Sequence, residues 1–170
     1  MTLKTGALLK YGPIKMESIA LKIPMPMGAS EVIAAKSGRF VVDDGYSRME
    51  VAGATAALLT GWVELPEDGF YTSAGIFTCS ATEGGSKALF TPIQALIGVV
   101  IRLPITTGTF EITMRNNTCD LAAVASNIQG VDLTASSYDP LLIVDGDLEN
   151  SEWVDVIPNV VNITGLTGVA

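Results

Sequence analysis

The chain has 170 residues, of which 48% are apolar, only 16% are charged and none is histidine. Ordinary soluble domains carry about 25% charged residues, so this composition implies apolar surface covered by copies of the chain or by a partner. The missing histidine removes the commonest general base and metal ligand and every Ser–His or Cys–His nucleophile pair, and a formal net charge of −8 disfavours nucleic acid as a partner.

Residues 1–39 hold six bases and two acids, a net of +4, and residues 40–170 a net of −12. A basic segment ahead of an acidic body suits a grip on an acidic surface. In residues 1–30, Gly6, Gly12, Pro13, Pro24, Pro26 and Gly28 interrupt the chain repeatedly. Proline fixes φ and lacks a donor, so this span predicts an extended N-terminal arm, with Ser18–Ile23 as a short alternating strand and Pro24-Met25-Pro26-Met27 extended. Lys4, Lys10, Lys15 and Lys22 leave no continuous apolar stretch for a signal peptide. They are candidate electrostatic contacts, and Met16, Ile23, Met25 and Met27 are candidate apolar contacts to a partner surface.

Residues 31–170 read as a β-rich body. Arg39–Val42 and Arg48–Val51 flank Asp43-Asp44-Gly45, a hairpin signal. Ala52–Leu59 predicts two helical turns. Gly61–Leu65 and Ala74–Cys79 read as strands, and Ala95–Leu103 as a central strand buried on both faces. The longest apolar run stops at Arg102 and Pro104, far short of the ~20 residues of a spanning helix, so no membrane is expected. Thr109–Met114 alternates as a strand, and Asp120–Ser126 predicts two helical turns. Leu141–Val144 and Trp153–Ile157 flank Asp145-Gly146 as a second hairpin, whose grammar parallels the first. Short Val-, Ile- and Thr-rich runs at regular turn spacing predict a mainly β chain: a small β-sandwich or β-barrel with an extended arm and few short helices.

Candidate chemistry is sparse. Asp43-Asp44, Glu67-Asp68 and Asp145-Gly146-Asp147 sit in turns, where carboxylates face water and keep ordinary pKa values. Glu83-Gly84-Gly85-Ser86-Lys87 lacks the order of a phosphate-binding loop. Cys79 and Cys119 suit small buried hydrophobes, with a single disulfide as the alternative. Trp62 and Trp153 are expected in the core. No catalytic residue, metal site or cofactor is expected.

Gly38-Arg39-Phe40-Val41-Val42-Asp43-Asp44-Gly45, followed by Val51-Ala52-Gly53-Ala54, resembles the cadence of decoration, or cement, proteins of tailed-bacteriophage heads, as do the chain's size and composition. The resemblance implies a non-enzymatic homotrimer on the outer capsid surface, assembled in the host cytoplasm. It would bind the major capsid protein and clamp neighbouring coat subunits through its arm. The alternatives are a head-fibre base, a tail-tube protein, or a sugar-binding or adhesion module.

Overall fold

In a computed structural model of the chain, the residues described are 12–14, 22–34, 38–64, 76–124, 128–135 and 137–162. They are mainly β, and no α-helix occurs among them. The strands are β1 (Gly12–Pro13), β2 (Ile23–Pro26), β3 (Val32–Ala34), β4 (Arg39–Asp43), β5 (Met49–Val51), β6 (Gly61–Glu64), β7 (Ile76–Thr78), β8 (Lys87–Pro92), β9 (Ile101–Thr107), β10 (Thr118–Val124), β11 (Ile128–Asp132), β12 (Leu141–Gly146) and β13 (Trp153–Pro158). Three short 3₁₀ turns lie at Ile93–Leu96, Ile112–Met114 and Val160–Asn162.

These strands close two small barrels. In the first, the order β2-β8-β6-β4-β5 returns to its start through a parallel bridge, Met27 to Met49, backed by the Gly28 N–H donating to the Met49 carbonyl at 2.9 Å. In the second, β9-β11-β10-β12-β13 closes where β13 pairs with β9, and its parallel seam lies between β9 and β11. The two rings have one topology. β2, β4, β5, β6 and β8 occupy the places of β9, β10, β11, β12 and β13, and the register agrees as well. Met25 faces Ala88 where Leu103 faces Val154, and Val63 faces Phe90 where Ile143 faces Val156. Val41 faces Gly61 where Cys119 faces Leu141, and Asp43 faces Met49 where Leu121 faces Val131.

Few side chains are shared across this internal repeat, but the shared prolines mark it. Pro26 and Pro104 stand just before the parallel seam, and Pro92 and Pro158 end the last strand of each ring, each leading towards a 3₁₀ turn. The two hairpins of similar grammar are not equivalent: β4–β5 corresponds to β10–β11, and β12–β13 corresponds to β6–β8. Packing compensates where side chains differ. Gly61 takes the place of Leu141, and the Phe90 ring fills the space, since a Cβ on Gly61 would lie 2.3 Å from Phe90 Cε2.

Two apolar clusters fill the molecule. Met27, Val41, Met49, Val63, Ala88 and Phe90 pack inside the first barrel, with Ile33 from the separate two-stranded sheet β3–β7 and Cys79 just after β7. The second cluster joins Ile101, Leu103, Leu121, Val131, Leu141, Ile143, Val154 and Val156 to Phe40 and Trp62. Phe40 and Trp62 alternate with Val41 and Val63, so they project from the outer face of the first barrel. Their rings meet edge to face at 5.0 Å, and the outer face of one barrel thereby shares a core with the interior of the other. Gln129 on β11 joins the barrels through polar bonds: its Oε1 accepts from the Phe40 N–H at 2.7 Å, and its Nε2 donates to the Ala52 carbonyl at 2.7 Å.

Several local expectations are corrected. Residues 120–124 belong to strand β10 rather than to a helix, because Cys119 and Leu121 alternate into the second core. Residues 52–59 form turns rather than a helix. Thr109–Met114 is not a strand: Phe110 is buried in the core, Met114 packs partly against it, and Ile112–Met114 is a 3₁₀ turn. The run 95–103 is broken at Gly98, whose φ of +77° turns the chain before β9 begins at Ile101. The boundary drawn at residue 30 also falls inside the first barrel, because β2 pairs in full register with β8.

Candidate interaction surface

The residues expected to form a contact arm separate into three groups. Lys4, Lys10, Lys15 and Met16 lie outside the described residues. Lys22 is exposed and its ammonium bonds Glu64 Oε2 at 2.6 Å, while Ile23 is 39% exposed on β2. Met25 is half-buried against the first core, and Met27 is fully buried within it. Met27 therefore belongs to the interior and offers no contact area to a partner.

Two prolines make this placement possible. The Met27 N–H donates to the Ser86 carbonyl beside β8, whereas the Gly28 N–H donates to Met49 on β5. Backbone direction alternates along a strand, so the nitrogens of Pro24 and Pro26 both face the β5 side. There the barrel closes through a bridge, not a full ladder, and the missing donors leave nothing unpaired.

The turn acids brace their own loops. Asp43 Oδ1 accepts from the Gly45 N–H, and Asp44 accepts from the Tyr46 and Arg48 N–H groups and from Arg48 Nε. The Arg115 guanidinium, 2.8 Å from Asp145, holds that carboxyl below the usual carboxylate range. At Asp147, burial pushes the carboxyl up, but the N–H groups of Glu152, Glu149 and Asn150 outweigh it and hold the group low. Carboxylates locked this way accept bonds from backbone and arginine and are poor proton donors at neutral pH. Glu67-Asp68 lies outside the described residues.

Asp120 plays the same bracing part inside the protein. It is 3% exposed and accepts from the N–H groups of Ser137, Tyr138 and Asp139 at 3.0, 3.0 and 2.8 Å. Sequence pattern alone did not single it out, nor Gln129, because each acts through partners remote along the chain. Ser86 Oγ accepts from the Ser80 N–H at 2.8 Å, so the glycine-rich loop is tied to its own neighbour. Both cysteines are free and buried, in different cores. Burial pushes the Cys79 thiol up to about 11 and the Cys119 thiol up to about 12. No group of three or more potential metal ligands occurs among the described residues.

Large apolar side chains reach the surface at eleven described positions, among them Tyr46, Leu58 and Leu148. Ile14 and Ile97 flank the Ile14 N–H bond to the Val100 carbonyl. Ile112 and Val144 lie near an open depression of about 430 Å³ lined by Met114, Asn116, Asn117, Thr118, Leu133 and Ile143. Tyr138 and Val161 are brought close by Asn159, which bonds the Asp139 and Pro140 carbonyls, and Val161 is 73% exposed. The arginines at positions 48, 102 and 115 are engaged in ion pairs. Arg102 holds Asp155 through two bonds of 2.7 and 2.8 Å and stacks 3.5 Å from the centre of the half-buried Trp153 ring, and Arg48 pairs with Asp44 and Glu83. No helix among the described residues is long and apolar enough to cross a membrane. Neither family models, curated proteins nor solved structures yield a match to this chain.

Proposed function

We propose that the chain is a non-catalytic building block of a viral particle, and specifically a decoration protein that binds the outer surface of a tailed-phage capsid. The observation that carries this reading is an acidic body whose arginines at 48, 102 and 115 are all paired and which exposes large apolar side chains at eleven described positions. Such places suit contact with several neighbours at once, which a clamp between coat subunits and sister copies requires. Lys4 and Lys10 precede β1, Lys15 follows it, and together they supply the opposite charge to a body of net −12 over residues 40–170. They would steer docking onto an acidic shell, with Ile23 as apolar contact and Met25 as partial contact beside them.

Co-purification with icosahedral particles tests this directly. Particles from cells making the full chain should carry it in fixed stoichiometry. Changing Lys4, Lys10 and Lys15 together to Gln should weaken rebinding to stripped particles and flatten its salt dependence, since only exposed charges are screened over ~8–10 Å. A chain that never sediments with particles would overturn the proposal.

A further inference from the structure

The closed rings leave one strand over. Both barrels close without β1, yet Gly12 and Pro13 pair antiparallel with Arg102 and Ile101 on β9. This place exists because β11 meets only the second half of β9, at Ile105 and Thr107, and leaves the edge beside Ile101 and Arg102 uncovered. The result is a short slot for an extended segment, with backbone groups facing it.

The slot has a readable specificity. Gly12 is buried at φ +138°, a conformation that side-chain-bearing residues rarely adopt, and a Cβ there would lie 3.4 Å from Trp62 Cζ2. The Ile14 N–H donates to the Val100 carbonyl at 2.9 Å, so the Gly12 N–H also faces β9, and the nitrogen of Pro13 faces away, where no donor is needed. The slot therefore fits Gly-Pro followed by a residue with a backbone N–H to give. The first barrel offers no equivalent. Pro24 stands in the place of Arg102, since Pro24 faces Leu89 as Arg102 faces Asp155. The Ile105 N–H points to the β13 side, at Glu152, so the Arg102 N–H points to β1; Pro24 has no such group to offer. Strand addition is open at one barrel and blocked at the other.

We propose that this slot is where copies of the chain lock together, each copy supplying Gly12-Pro13-Ile14 to the β9 edge of its neighbour. This rests on the reading of the chain as an assembling protein. A second copy is the partner because it necessarily carries the fitting segment. Ile14 is separated by residues 15–22 from β2 in the other barrel, and exchange leaves both barrels closed. Exchanging an identical element between copies replaces each bond with the same bond, so it is a low-cost route to assembly. Within one chain the segment reaches the slot at a high effective concentration, so the internal pairing holds in dilute protein and exchange requires copies concentrated side by side in an assembly.

The test uses two full-length variants made in the same cells, one tagged for size: Ile14→Cys in one and Val100→Cys in the other. Ile14 is 43% exposed and Val100 half-buried, and the native cysteines are buried and do not compete. A bond between Cys introduced at 14 and at 100 is then intermolecular by construction. Mild oxidation with oxidised glutathione should give the mixed covalent dimer as the main product, and adding Gly12→Val to the Ile14→Cys chain should cut its yield at least tenfold. If the mixed dimer does not form while a chain carrying both changes closes internally, exchange is refuted. If neither bond forms in folded protein, the pairing itself is refuted. Light scattering on the unmodified chain separates the two ideas: an oligomer without mixed dimer removes only the exchange, whereas a monomer removes the assembling reading as well.

Discussion

Met27→Ala distinguishes a barrel strand from a contact arm. Met27 is fully buried among Ile33, Val41, Met49, Val63 and Phe90, and its backbone forms the bridge that closes the first ring. Truncating a buried methionine to alanine costs about 2–5 kcal/mol from lost burial and the cavity left behind. The seam holds by a single bridge and can partly collapse, so about 3 kcal/mol is expected. For a chain of this size that lowers Tm by roughly 6–12 °C. Ile23→Ala, four residues earlier and 39% exposed, should cost less than about 1.5 kcal/mol. Urea titration followed by tryptophan fluorescence reads both, because Trp62 is fully buried. If Met27→Ala unfolds within about 0.5 kcal/mol of the parent chain, the range of ordinary surface changes, β2 is not a wall of the barrel and the fold described is wrong there. The same reasoning predicts that removing residues 1–30 unfolds the first barrel, so an arm deletion must stop before Ile23.

Three other outcomes follow from the interior. Gln129→Leu strands the buried Phe40 N–H and Ala52 carbonyl; at about 1–3 kcal/mol per unsatisfied group, chemical denaturation should show a loss of roughly 2–5 kcal/mol, and a neutral result would deny the glutamine its joining role. With thiols pushed up to about 11 and about 12 by burial, neither Cys79 nor Cys119 should react with a thiol reagent at neutral pH until denaturant is added, and two thiols should then titrate. Asp145 and Asp147 have folded pKa values below the ordinary 3.8, so their contribution is present above that value and lost as pH falls through the lower folded values; Tm should hold steady down to about pH 5 and fall below about pH 4. A fall beginning near pH 6 would contradict these assignments.

Much of the β pattern is legible in the amino-acid order, and the misreadings have physical causes. Asp44-Gly45 announces its hairpin because turn geometry is a local property, and Gly45 sits at φ +85°; Asp145-Gly146 instead pairs within β12, and the chain turns just after it, at residues 148–150. Thr109–Met114 misleads because alternation alone does not say which residue the core will accept; Phe110 packs where a Cβ on Gly146 would lie 2.6 Å from its ring, and Ile112 stays exposed. Asp120–Ser126 looks helical from its alanines, but the pairing of β10 with β11 overrides weak propensity. Pro24 and Pro26 look like strand breakers one at a time; spaced two apart, they put both missing donors on one edge. The repeat is hidden because register, not side-chain identity, carries it. The slot for Gly12 and Pro13 is equally silent, since it is made by the shortness of β11 more than ninety residues away.

The claim on which the functional account depends is that the chain acts by assembling, and its molar mass in solution tests that most directly. Light scattering on the full chain across the micromolar range should give a closed oligomer, a trimer at three times the chain mass of 17.8 kDa. A mass of 17.8 kDa at every concentration would contradict the account.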